Sequence, residues 1–186
     1  MDFSTFVFQT VDVKQELVTR LKAGLLALGY TGKNIINVLK ADPQSPAEIP
    51  CIGINRADDS ESSQSIADGQ GSLYDPATMV NTTFYGTFFA EAQEIRIWHT
   101  NADEREKLYL AVKAMLFGMR FDLAQMGLIN FNLRSGRDEQ DTTMMQAPMV
   151  LYWASITMSY LNPLDVQFTG IVEPISDVPD NGILKS

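Results

Sequence analysis

The stretch "EIRIWHTNADEREKLYLAVKAMLFGMRF", residues 94–121, decides the fold, because within it a strand passes into a long helix. Ile95 and Ile97 alternate with polar residues, which is the two-residue period of a half-buried strand. Asn101 followed by Glu104 then reads as an N-cap with its capping-box partner, and Gly127 ends the helical pattern. The helix spans residues 102–126. Leu108, Val112, Met115, Met119 and Met126 fall along one stripe at about 100° per residue, and that stripe should cover a sheet. Leu110, Phe117 and Phe121 cluster on nearly the opposite side, with Tyr109, Lys113 and Arg120 in a narrow polar strip between them. A surface helix of a monomer should not offer two aromatic rings and a leucine to water. Either the first helix or the C-terminal arm covers them within the chain, or a neighbouring subunit does. Burying Phe117 and Phe121 together would be worth about 3 to 6 kcal/mol as an upper value, enough to anchor a subunit contact.

Outward from this unit, residues 12–28 read as a first helix. Asp12 with Gln15 makes a capping box, Val13, Leu17, Leu21, Leu25 and Leu28 form the buried stripe, and Gly29 is the stop. "NIINVLK" and "CIGIN" are short β-branched pieces bounded by turn residues, hence strands. Residues 56–79 are rich in Ser, Asp and Gly, with Asp58, Asp59, Glu61, Asp68 and Asp75 against one base up to Asp75. Such a composition buries little apolar surface, so a mobile acidic loop is expected there, either disordered or partner-binding. From Thr82 to Thr100 the even positions Phe84, Phe88, Ala90 and Ala92 give way to Ile95 and Ile97, which suggests one bent strand with a bulge, or two strands. After the second helix come a strand "LINFNL", a polar loop "RSGRDEQDTT", a long strand "APMVLYWASITMSYL" and a last extended piece "LDVQFTGIV". In the long strand Val150, Tyr152, Ile156, Met158 and Tyr160 point one way, and Ser155, Thr157 and Ser159 the other. Residues 173–186, with Pro174, Pro179 and Gly182, form an irregular C-terminal arm. The expected fold is one α+β domain: a mixed, largely antiparallel sheet backed by two main helices, with a long acidic loop and an extended arm.

With 186 residues and 45% hydrophobic content, the chain can bury a core as a single domain without metals or disulfides. Fourteen Lys and Arg against 23 Asp and Glu leave a net charge of -9 without any basic cluster, which argues against binding nucleic acid or anionic lipid by charge. The single Cys51 can form no internal disulfide and completes no metal-binding spacing, which fits a reducing compartment. The N-terminus lacks a secretory pattern and no apolar run is long enough to span a membrane, so a soluble protein made in the cytoplasm is expected.

The only histidine, His99, sits beside Asp103, Glu104 and Glu106. Those acids have a sufficient explanation as first-turn residues stabilised by unsatisfied amides and the helix dipole. There is no nucleophile elbow for His99 to serve. "GYTGKN" lacks the first glycine of a phosphate loop and has Asn34 where Ser or Thr should bind magnesium, and "DDSESS" lacks the glycine and final glutamate of a calcium loop. No catalytic residue, metal or cofactor is assigned. A small-molecule-binding or enzymatic domain around His99, Trp98 and Tyr85 stays as the alternative of another class.

The order of helix, short strands, long strand ending "EIRIWHTN", capped helix "ADEREKLYLAVKAMLFGM", strand and long final strand resembles the tail terminator, or tail-completion, proteins of long-tailed bacteriophages. The resemblance covers residues 13–172 in element order and carries its texture in residues 94–121. It implies a structural virion protein assembled in the bacterial cytoplasm, closing head to tail into a homo-oligomeric, hexameric ring on the tail tube. Such a ring stops growth of the tube and offers the docking face for neck or stopper proteins, or for sheath, while DNA passes through without specific binding. A neck or stopper protein joining head to tail is the near alternative. On this reading Leu110, Phe117 and Phe121 make the subunit contact, and Asp58, Asp59 and Glu61 belong to a loop that orders on its partner.

Overall fold

The computed structural model describes residues 6–61, 71–78, 80–141 and 150–171. The described residues build one seven-stranded sheet with two α-helices: β1 (Phe6–Gln9), α1 (Val13–Ala27), β2 (Asn37–Leu39), β3 (Cys51–Glu61), β4 (Gly71–Asp75), β5 (Val80–His99), α2 (Ala102–Gln125), β6 (Ile129–Asp141) and β7 (Leu151–Ile171). The path across the sheet is β1-β7-β5-β3-β2, with β4 beside β5 and β6 beside β7. Among the described strands only the β2–β3 pair is parallel. This is the expected mixed, largely antiparallel α+β architecture.

The spine is the β5–β7 ribbon, in register from Val80↔Ile171 to His99↔Tyr152. Strand alternation sends Ile95 and Ile97 of β5, and Ile156, Met158 and Tyr160 of β7, to one face. There they pack with Ile52 and Ile54 of β3 under Leu17 and Leu21 of α1 and Leu108, Val112, Leu116 and Leu123 of α2. Both helices stop at left-handed glycines, Gly29 (φ 88°) after α1 and Gly127 (φ 95°) after α2, a conformation a side chain would strain. On the other face Trp98 stacks on Trp153, its register partner, at 5.7 Å beside Cys51 and Leu151. Burial pushes the Cys51 thiol up to about 12, helped by Glu48 and Asp42, so it is inert at neutral pH. The segment after β2 is clamped over this second face, where Arg96 reaches Asp42 (2.5 Å) and Glu94 (2.7 Å), and Asn55 donates to Asp42 at 2.9 Å.

Several expectations are corrected by the strands. The acidic segment is not one loop: β3 continues to Glu61 and β4 occupies Gly71–Asp75, each hydrogen-bonded to β5. Ladder pairing with a long neighbour holds a polar sequence extended without burying it. Residues 62–70 and the C-terminal arm, 173–186, lie outside the described residues. The polar loop after "LINFNL" is likewise strand as far as Asp141. β5 is a single strand, and its alternation is unbroken because Glu91 and Gln93 occupy core-side positions. The irregularity lies on its partner, between Arg56 and Asp58. The two last extended pieces are one strand through Pro163. Its pairing with β6 ends at Leu161 and with β1 begins at Asp165, so a residue with no N–H falls where β7 has no neighbour on that side.

Candidate functional site

α2 supplies the candidate surface. Its inner face is Leu108, Val112, Leu116, Met119 and Leu123, all buried, with Met115 partly so. Met126, placed on the inner stripe by periodicity, is instead 37% exposed because the helix has ended before it. Leu110, Phe117 and Phe121 stand on the outer face at 56%, 59% and 77% exposure, so α1 does not cover them. α1 lies on the other flank of α2, held by the Arg20–Asp122 ion pair at 2.5 Å and by Gly24, whose missing side chain leaves room for the Met115 sulfur.

Where α2 hands over to β6, Phe117, Phe121 and Ala124 face Ile129 and Phe131 across an open groove of about 640 Å³. Asn130, at φ 58°, and the register shift between Ile129 and Asn132 turn the start of β6 outward, which leaves Ile129 41% exposed. Arg120 lies over the Phe117 ring at 5.5 Å and donates to the Phe131 carbonyl. Lys113 lies over Tyr109 and donates to Ser135. Among the described residues neither cation is paired with a carboxylate. Periodicity located the two phenylalanines, but the groove needs the backbone turn at Asn130, for which the sequence carries only the mild signal that Asn tolerates φ > 0.

The acidic residues fall elsewhere. Asp58 and Asp59 are exposed on β3, two strands removed from β6's neighbour, and Asp59 pairs with Arg56 at 2.6 Å. Glu61 ends β3, and its side chain lies outside the described residues. The two sets of expected contact residues therefore form separate surfaces.

The pocket around His99 does not form as expected. Trp98 and His99 are strand neighbours and point to opposite faces, and Tyr85 lies about 46 Å away along β5 at ~3.3 Å per residue. His99 instead borders a cavity of about 410 Å³ with Tyr30, Lys33, Asn34 and Glu104. Its Nδ1 accepts the Asn101 backbone N–H at 3.0 Å, so the neutral ring carries its proton on Nε2. That nitrogen is a donor and has no lone pair to take a proton from a substrate. Burial holds the His99 pKa below its usual value, opposed by Glu104. Asn101 Oδ1 in turn accepts from the Glu104 N–H at 3.0 Å, whereas the Glu104 carboxylate turns to Lys107 at 2.7 Å, so only half of the expected capping box is made. α1 repeats this: Asp12 accepts from the Gln15 N–H while the Gln15 side chain bonds Thr19.

A polar cluster between β5 and β7 escaped the sequence reading. Tyr160 donates to Glu91 at 2.9 Å and accepts from Gln93 at 3.0 Å, and Asn162 donates to Glu91 and to the Val11 carbonyl. Burial raises the Tyr160 pKa above the ordinary phenol range. The cluster joins the start of α1 to the ribbon and is structural. Arg105, also buried, is tied to Asp138 of β6 and to Glu106. Among the described residues no group of acids, histidine and cysteine could hold a metal ion, and no helix is long and apolar enough to cross a membrane. Comparison of the sequence with family models and with curated proteins gives no match.

Proposed function

We propose that the chain is a structural subunit of the tail-terminator type, one that associates head to tail with its own copies into a ring closing the end of a tail tube. The observation that carries the reading is the outer face of α2, where Leu110, Phe117 and Phe121 stand exposed beside the groove floored by Ile129 and Phe131. Aromatic side chains flanked by Arg are the usual anchors of protein interfaces. A heterologous contact between this face and a different patch of the next copy closes into a ring when the rotation allows. The inert Cys51 and the imidazole held by the Asn101 amide are consistent with a protein that carries out no turnover.

The ring is hexameric on this proposal. One face meets the tail tube and the other receives neck or stopper proteins, and the net charge of -9 lets duplex DNA pass without adhering. The β3 surface with Asp58 and Asp59 is set apart from the α2 face, which leaves it available to a different partner. Electron microscopy of tails assembled in the absence of the chain tests the role. Overlong tubes support termination, tubes of normal length that lack only heads shift the role to the neck, and unaltered virions refute both.

A further inference from the structure

The groove between α2 and β6 asks for an occupant that is apolar on one side and acidic on the other. Phe117, Phe121, Ala124, Ile129 and Phe131 line it, and Arg120, with Lys113 further along α2, supplies positive charge at its edge that no carboxylate pairs among the described residues. The acidic β3 surface supplies charge, but its exposed residues from Arg56 to Ser60 offer no large apolar side chain. The segment after β7 has both. In "VEPISDVPDNG", residues 172–182, Ile175 and Val178 are three apart, and Glu173, Asp177 and Asp180 surround them. Bound as an extended helix of three residues per turn, a form that the fixed φ of Pro174 and Pro179 allows, the segment would present Ile175 and Val178 on one side.

We propose that residues 172–180 of a neighbouring copy lie in this groove, with Ile175 and Val178 against Phe117 and Phe121 and the acids beside Arg120 and Lys113. The inference rests on the ring reading for the presence of a neighbour. Reach decides between a neighbour's segment and the chain's own. Ile129, at the groove, pairs with Leu161, and from Leu161 to Ile171 β7 travels about 33 Å away at ~3.3 Å per residue. From Ile171 to Val178 even a fully extended chain spans only about 24 Å. Val178 cannot return to its own groove. A segment supplied by a second copy is free of that limit.

Disulfide trapping tests the proposal. Full-length chains carrying Ala124→Cys are mixed with differently tagged chains carrying Val178→Cys, with Cys51 buried and out of reach of a mild surface oxidant. The expected product is a dimer joining the two tags, reduced about tenfold or more when the first chain also carries Phe121→Asp, as for loss of an interface anchor. Cross-linking no greater than in that control overturns the proposal. A chain ending at Ile171 separates the two levels of the account by its mass in light scattering. If the truncated chain still assembles as the full chain does, the arm is not the occupant and the ring reading stands. If the full chain is itself monomeric, the ring reading fails and takes this inference with it.

Discussion

The Asn101 backbone N–H donates to His99 Nδ1 at 3.0 Å, two residues before it in the chain, while the Asn101 side chain caps α2. Protonating His99 removes that acceptor and puts a charge into a half-buried site. Burial places its folded pKa below 6.5, so stability is fully present above that value and is lost as pH falls through the folded pKa. As the only histidine, it governs the window in which no carboxylate with an ordinary pKa titrates. The urea midpoint should fall between about pH 7 and pH 5, and His99→Asn should flatten that slope. A slope unchanged by the substitution places the pH response in another group.

The Tyr160 hydroxyl serves Gln93 and Glu91 together. Tyr160→Phe leaves the buried Gln93 amide without a partner and should cost about 1 to 3 kcal/mol. Adding Gln93→Leu should recover part of that loss, because the stranded donor is then removed. Urea unfolding of the two single variants and the double variant measures the coupling; strictly additive losses would show that the two groups act independently.

Gly53 lies under the Asp42 clamp. A Cβ there would sit 2.8 Å from the Ala41 carbonyl oxygen and 3.0 Å from Asp42 Oδ1, and the Asp42 carboxylate is held in place by the bonds from Arg96 and Asn55. Gly53→Ala should destabilise the fold by roughly 1 to 3 kcal/mol, in the range of overpacking. A thermal midpoint equal to that of the parent contradicts the clamp.

Phe121 is 77% exposed and Phe117 59% in the single chain. Phe121→Asp should therefore change the folding stability of a protomer by no more than about 0.5 kcal/mol, as expected for surface sites. Its effect should appear in association alone. If the substitution unfolds the chain at low concentration, the ring is buried within its own protomer and is not a subunit contact.

The helices were legible because their information is local. The caps Asp12 and Asn101, the stops Gly29 and Gly127, and the stripes from Val13 to Leu25 and from Leu108 to Met119 all lie within single elements. The strands were legible only where alternation coincides with burial. β3 beyond Arg56 and β6 beyond Arg134 are polar, and they are extended because β5 and β7 run beside them, a cause that lies far away in sequence. Gln93 and Glu91 hid the continuity of β5, since these polar residues take core-side positions against Tyr160, whose bonds to them cross from β7. At the candidate surface the outward placement of Leu110, Phe117 and Phe121 follows from 3.6-residue periodicity, and the structure leaves them uncovered by α1. The groove beside them depends on how β6 leaves Gly127 and turns at Asn130, a backbone path that residue type alone does not determine.

The most direct measurement is the mass of the purified full-length chain by light scattering across a dilution series, set beside that of Phe117→Asp. The account expects the parent chain at a closed multiple of 20.7 kDa, six copies for the ring proposed, and the folded variant at smaller assemblies or single chains. A parent chain that stays at 20.7 kDa at every concentration, or a variant that assembles as the parent does, contradicts it.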